Sequence, residues 1–251
     1  MPTIIRHQLE HGVERISLNS GGGNPLTPEL IADLSALLDE LSAAPPRALV
    51  LDADGARIFS AGFALPVIWD WDRDRLWNFF SGFVDIVHKF LALPCPSVAA
   101  VEGHAIAGGF ILSLATDFRV VGAGKLKLGL SEVDLGAAVP PDTQRLLAAR
   151  TSEAQALWLS TTGDLMNPEE ALRCNYACSI SESPLEEAIA LASKLAQKPG
   201  CGASVNRQLF NHTISEEMRR AAERTELFLD TWFSDEGQQH IAAMAARLSK
   251  K

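Results

Sequence analysis

The stretch GHAIAGGFILSLATD, residues 103–117, decides how the chain is read. Gly108 and Gly109 stand between an apolar run and a helical pattern of Phe110, Ile111, Leu112 and Leu114. Glycine here lets another group come close to the backbone. A helix start also carries unpaired N–H groups that favour negative charge. The first turn holds no side chain that can move a proton, because Phe110, Ile111 and Leu112 are hydrocarbon. Apart from His104 at its start and Asp117 at its end, the stretch therefore supplies backbone donors and no acid or base of its own.

Working outward, PSVAAVEG (residues 96–103) is an apolar strand that feeds straight into this turn. Upstream, ARIFSAGFAL (56–65) is a second glycine-containing loop, and it follows the buried strand RALVLDADG (47–55). Each loop places glycine beside an N–H after a strand of the core. Two such donors converging on one carbonyl oxygen make an oxyanion hole. No GxGxxG and no Gly-Lys-Ser/Thr is present at either loop, so neither a dinucleotide fingerprint nor a phosphate-cradling P-loop is read here.

Further out, residues 3–9 and 13–18 read as strands around the turn His11-Gly12. Thr27-Pro28-Glu29 opens a helix with a hydroxyl cap, a proline at the first position and an acid in the first turn. Its apolar face is Leu30, Leu34, Leu37, Leu38 and Leu41, and Pro45-Pro46 ends it. A helix is expected over about 75–93, short strands in DFRVVGAG (117–124) and LKLGLSEVDLG (126–136), and helices over 184–197, 215–233 and 234–248. The order predicts an α/β core with an all-helical end.

The 251 residues are 47 % hydrophobic and 21 % charged, enough for a sizeable core without staples. A net charge of −9 argues against a nucleic-acid partner but leaves room for an anionic small molecule on a local basic patch. Cys95, Cys174, Cys178 and Cys201 lack the paired spacing of a zinc site and read as reduced thiols, so no metal is expected. No signal-like or membrane-length apolar run is seen, and the terminal LSKK is not a peroxisomal address. A cytoplasmic protein without a membrane partner is expected.

Three motifs in order resemble the crotonase superfamily, the enoyl-CoA hydratase/isomerase family. They are Phe59-Ser60-Ala61-Gly62-Phe63-Ala64-Leu65, the run from Ala100 through Gly103, Gly108-Gly109, Leu112 and Leu114 to Asp117, and Ser131-Glu132-Val133-Asp134-Leu135-Gly136. The resemblance extends over roughly residues 10–250. It implies a spiral of repeated ββα units over 1–195 and a C-terminal helical region over 196–251 that packs subunits into trimers or pairs of trimers. The stripe Phe228, Trp232, Phe233, Ile241 and Met244 would then be buried between subunits or against the core, and Lys250 and Lys251 would lie near a neighbour's CoA phosphate or fray.

Carried over residue by residue, the N–H groups of Phe63 and Gly108 bind the thioester oxygen of an acyl-CoA, with Ala61, Gly62, Gly109, Ile111 and Trp69 lining the substrate and Arg57 near the CoA pyrophosphate or adenine. Coenzyme A arrives as part of the substrate, and no separate cofactor is implied. Hydratases of the family use two glutamates; here Glu132 stands at one position and Ile111 at the other. The hydratase-like glycine loop is also replaced by Pro140-Pro141-Asp142-Thr143-Gln144-Arg145-Leu146. Gly129 to Gly136 instead resembles the 3,2-enoyl-CoA isomerases, in which one carboxylate moves a proton. Asp134 and Asp142 are the candidate second acids, while His104 and Asp117 read as structural. Three readings stay open: an isomerase, another reaction of the fold (hydration, hydrolysis or decarboxylation), and a non-catalytic acyl-CoA-binding subunit.

Overall fold

The computed structural model describes residues 2–249. The elements are β1 (Ile4–Gln8), β2 (Val13–Leu18), α1 (Pro28–Ala43), β3 (Ala48–Asp52), β4 (Ile58–Ser60), α2 (Leu65–Ile68) and α3 (Arg73–Ala92). Then come β5 (Ser97–Val101), β6 (His104–Ile106), α4 (Gly108–Leu114), β7 (Phe118–Gly122) and β8 (Leu128–Gly129). Helices dominate thereafter: α5 (Pro141–Arg150), α6 (Glu153–Thr162), α7 (Pro168–Arg173), β9 (Ser179–Ser181), α8 (Pro184–Ala196), α9 (Gly200–Ala222), α10 (Glu226–Trp232) and α11 (Asp235–Leu248).

The strands divide between two sheets. The larger has the order β1-β2-β3-β5-β7-β9 and is parallel except for the β1–β2 hairpin. The smaller is β4-β6-β8, all parallel. Each successive pair (β3 and β4, β5 and β6, β7 and β8) gives one strand to the large sheet and the next to the small one. This is the repeated ββα spiral that the motif order implied.

Both faces of the large sheet are covered, as parallel sheets require. Strand periodicity of two sorts the side chains. Val13, Ala48, Val50, Val98, Ala100 and Val120 meet Ala188, Ala192 and Ala196 of α8. The alternate residues Leu49, Leu51, Ala99, Val101 and Val121 join the main core with the leucines of α1 and the phenylalanines of α3. The cap of α1 is as read from sequence, with Thr27 Oγ1 accepting the Leu30 N–H at 3.2 Å.

Three expectations are corrected. The strand expected across 126–136 is only Leu128–Gly129, and Glu132–Leu135 is a single turn of 3-10 helix. That turn closes through Asp134 N–H to Ser131 O at 3.2 Å and Gly136 N–H to Val133 O at 3.0 Å, and Gly136 ends it in the left-handed region. Asp134 therefore does not share a strand face with Glu132. The helix expected over 215–233 belongs to two helices, α9 and α10, separated by a turn in which Thr225 Oγ1 donates to Ala222 O at 2.8 Å. Finally, α9 begins at Gly200, where Gly200 and Gly202 had masked the helical pattern.

Candidate active site

The small sheet explains why three weak motifs belong together. In register, Ser60 of β4 lies beside Ala105 of β6, and Ile106 beside Gly129 of β8. Parallel neighbours present their carboxyl ends along one edge, where open α/β sheets place their ligands. That edge delivers Ala61-Gly62-Phe63, then Ala107-Gly108, then Leu130 to Glu132.

The two candidate donors follow from local backbone pairing. Leu26 bridges the first loop, its N–H reaching Gly62 O at 2.8 Å while its carbonyl accepts the Ala64 N–H at 3.2 Å. This pattern turns the Phe63 N–H to the opposite side. Ser60 Oγ accepts the Gly62 N–H at 3.2 Å. In the second loop Ala107 adopts φ 51° and ψ −126°, a costly conformation for a residue with a Cβ, and its N–H is held by Gly129 O at 2.9 Å. Among the described residues neither the Phe63 N–H nor the Gly108 N–H donates a hydrogen bond.

The loops touch through glycine. A Cβ on Gly62, which sits at φ +84°, would lie 3.0 Å from Gly108 N, and a Cβ on Gly109 would lie 2.3 Å from Ser60 O. Only glycine permits both approaches. Since α4 has just two turns, the unpaired N–H itself, more than a long macrodipole, makes this edge electropositive.

Below the donors lies a cavity of about 280 Å³ lined by Ala61, Phe63, Ile106, Ala107, Ile111, Ser131, Glu132, Asp134 and Pro140. Glu132 Oε2 is buried and has no hydrogen-bond partner among the described residues. Burial pushes the Glu132 carboxyl up to about 7, with the N–H groups of Glu132 and Ser131 pulling the other way. Ile111, 2 % exposed, forms part of the cavity wall and brings no titratable group to it. The arrangement can take up one proton beside a carbonyl whose developing charge meets two N–H groups.

The other expected residues fall into place variously. Asp134 is exposed but does line the cavity. Asp142 is buried at the start of α5, outside the cavity lining; burial pushes its carboxyl up to about 6, against the Thr143 N–H at 2.7 Å. This position does not suit a second acid. Arg57 is exposed at the start of β4, at the opposite end of the small sheet, and forms no ion pair among the described residues. Trp69 is 37 % exposed and is not among the residues that line the cavity, whereas Phe80 of α3 is. His104 Nδ1 accepts the Lys127 N–H at 3.0 Å. Asp117 accepts from Ser97 N–H, Arg207 Nε and Asn211 Nδ2, tying β5 to α9.

Sequence reasoning left open what the C-terminal stripe packs against. Phe228, Trp232 and Ile241 are buried within this same chain, and Phe228, Trp232, Met244 and Leu248 complete the cavity. Leu65, the last residue of the first motif, and Leu248 also line it, and their only signal in the sequence is apolar character. Lys250 and Lys251 lie outside the described residues.

Comparison with known proteins identifies what the chain is similar to. An Arabidopsis thaliana protein named enoyl-CoA delta isomerase 2, peroxisomal, is 29 % identical over 214 residues, covering 78 % of this chain and 87 % of its own. A putative enoyl-CoA hydratase of Thermus thermophilus is 33 % identical over 192 residues, covering 74 % and 75 %. The crystal structure of human mitochondrial delta3-delta2-enoyl-CoA isomerase shares the fold with a TM-score of 0.91 at 18 % identity, over 99 % of this chain and 98 % of that one. The family profile described as enoyl-CoA hydratase/isomerase matches residues 8–248, and the chain belongs to that family.

Proposed function

We propose that the chain is a 3,2-enoyl-CoA isomerase acting through Glu132, Phe63 N–H and Gly108 N–H. The observation that carries the reading is one half-buried carboxylate, its Oε2 buried and unpartnered among the described residues, that lines a cavity in which Ile111 stands in place of a second acid. Glu132 removes a proton from C2 of a 3-enoyl thioester. The charge moves onto the thioester oxygen, where the two N–H groups hold it at little reorganisation cost. The same carboxyl returns the proton at C4, leaving the double bond conjugated with the carbonyl. A carboxyl held near 7 suits both halves, since it is neither too weak to take the proton nor too basic to release it. Hydrocarbon walls keep water away from the dienolate. Coenzyme A comes with the substrate, its anionic end toward Arg57, and no further cofactor takes part. A homotrimer or hexamer in the cytoplasm belongs to the same proposal.

Asp134 favours one second reading. It lines the cavity two residues from Glu132 and would let the pair position a water for hydration. Its exposure and the absence of a second buried acid at the Ile111 wall weigh against it. The test follows conversion of a medium-chain 3-enoyl-CoA to the conjugated thioester in the ultraviolet, beside hydration of the 2-enoyl-CoA. Isomerisation without appreciable hydration is expected. Hydration in excess would overturn the isomerase reading, and CoA binding without either turnover would point to a binding subunit.

A further inference from the structure

The cavity has a far wall that the reaction does not use. Ring contacts run away from the oxyanion loop: Phe63 to Phe80 at 6.1 Å between centroids, Phe80 to Phe228 at 4.9 Å, and Phe228 to Trp232 at 6.0 Å. Met244 and Leu248, one turn apart on α11, complete this wall. The helices that carry it are fastened to the site itself. α11 packs against α2 and against the Glu132 turn, and Thr231 Oγ1 of α10 accepts the Ala138 N–H at 2.9 Å, just past that turn. Arg73 at the start of α3 holds α10 from outside through Glu226 and Asp230. The chain's own last two helices thus close the space beyond the reacting carbons.

From this we infer that α10 and α11 are the gauge of acyl length, with Trp232 and Met244 setting the limit. The inference rests on the acyl-CoA reading above but not on which reaction follows. The cavity of about 280 Å³ holds roughly nine methylene-sized groups at about 30 Å³ each, counted from the carbonyl carbon. The substrates selected are therefore unbranched or lightly branched acyl chains of short to medium length. The far wall is hydrocarbon apart from the Trp232 indole N–H, so each methylene accepted tightens binding about fourfold, and one beyond the limit tightens nothing without displacing α11.

The experiment measures affinity for saturated acyl-CoAs from butanoyl to hexadecanoyl by calorimetry, with no turnover required. Affinity is expected to climb to about octanoyl or decanoyl and then stop climbing or fall. Trp232→Ala should move that break to longer chains by roughly four carbons. Met244→Ala, at a half-buried position, should move it the same way by one or two, and Met244→Trp should move it to shorter chains. Opposite shifts from the two Met244 variants separate gauging from loss of folding. A break that stays in place in all folded variants, or hexadecanoyl-CoA gaining fourfold per methylene like the short chains, would overturn the inference. Normal gauging with no turnover of a 3-enoyl-CoA would overturn the isomerase reading alone.

Discussion

Glu132 and Asp142 make an instructive pair. Both carboxyls are pushed upward by burial, to about 7 and about 6; Glu132 opens the 3-10 turn after β8 and Asp142 lies in the first turn of α5. Their surroundings differ. Asp142 is 2 % exposed, accepts the N–H of Thr143 and faces no part of the cavity. Glu132 lines the cavity and has a buried oxygen with no hydrogen-bond partner among the described residues. A shifted carboxyl is thus a sign of burial first. It marks chemistry only where the group also opens on a space that holds a substrate.

The strongest way to break the contrast is to neutralise each carboxyl. Glu132→Gln should lower kcat for 3-enoyl-CoA isomerisation by about 10³-fold or more, since among the described residues the only other acid lining the cavity is the exposed Asp134. Asp142→Asn should change it by less than about threefold. Equal losses in steady-state assays of the two folded variants would show that the contrast in position is irrelevant. Next in size is the second donor loop. A side chain on Gly109 would meet Ser60 O at 2.3 Å, so Gly109→Ala should push α4 away from β4 and cost about 10²-fold in kcat. A loss confined to KM would mean that the Gly108 N–H does not act on the transition state.

The ionisation of Glu132 gives two smaller effects of opposite sense. Activity needs the carboxylate, so kcat should fall about tenfold per pH unit well below about 7 and level off above it. Stability runs the other way. A carboxyl raised in the folded state favours folding fully only below its unfolded pKa, and that contribution disappears as pH rises through about 7. Glu132→Gln should therefore match the parent near pH 4 and exceed it by about 3 kcal/mol well above pH 7, read from urea unfolding. A variant less stable than the parent at high pH would contradict a buried, unpartnered carboxylate.

The donor loops were legible because glycine and its neighbours are constrained locally. Gly62 and Gly109 are demanded by contacts within 3 Å, and such demands leave a mark in the sequence. Glu132 was legible as a residue but not as a shape. The apolar alternation around Leu128 and Leu130 suggested a strand, whereas the chain turns over after Gly129, held by backbone hydrogen bonds that no side chain announces. The far wall was least legible. Phe228, Trp232 and Met244 showed an amphipathic stripe, but periodicity says only that a face is buried, not against what. The resemblance to a trimer-forming family suggested a subunit contact as one of two outcomes; packing on α2 and the Glu132 turn made it part of this chain's own cavity. Phe80 was equally illegible as a lining residue: it reaches the cavity from α3, while Trp69 at the end of α2 is exposed outside the lining.

The central claim is that one carboxyl moves one proton from C2 to C4 inside a water-poor cavity. It is tested most directly by isomerising a 3-enoyl-CoA deuterated at C2 in ordinary water and locating the label in the product by NMR. The account predicts that a substantial share of product molecules carry deuterium at C4, delivered by Glu132 before it exchanges with solvent. Product with only solvent protium at C4, across all times of a single-turnover reaction, would contradict it and require a second acid.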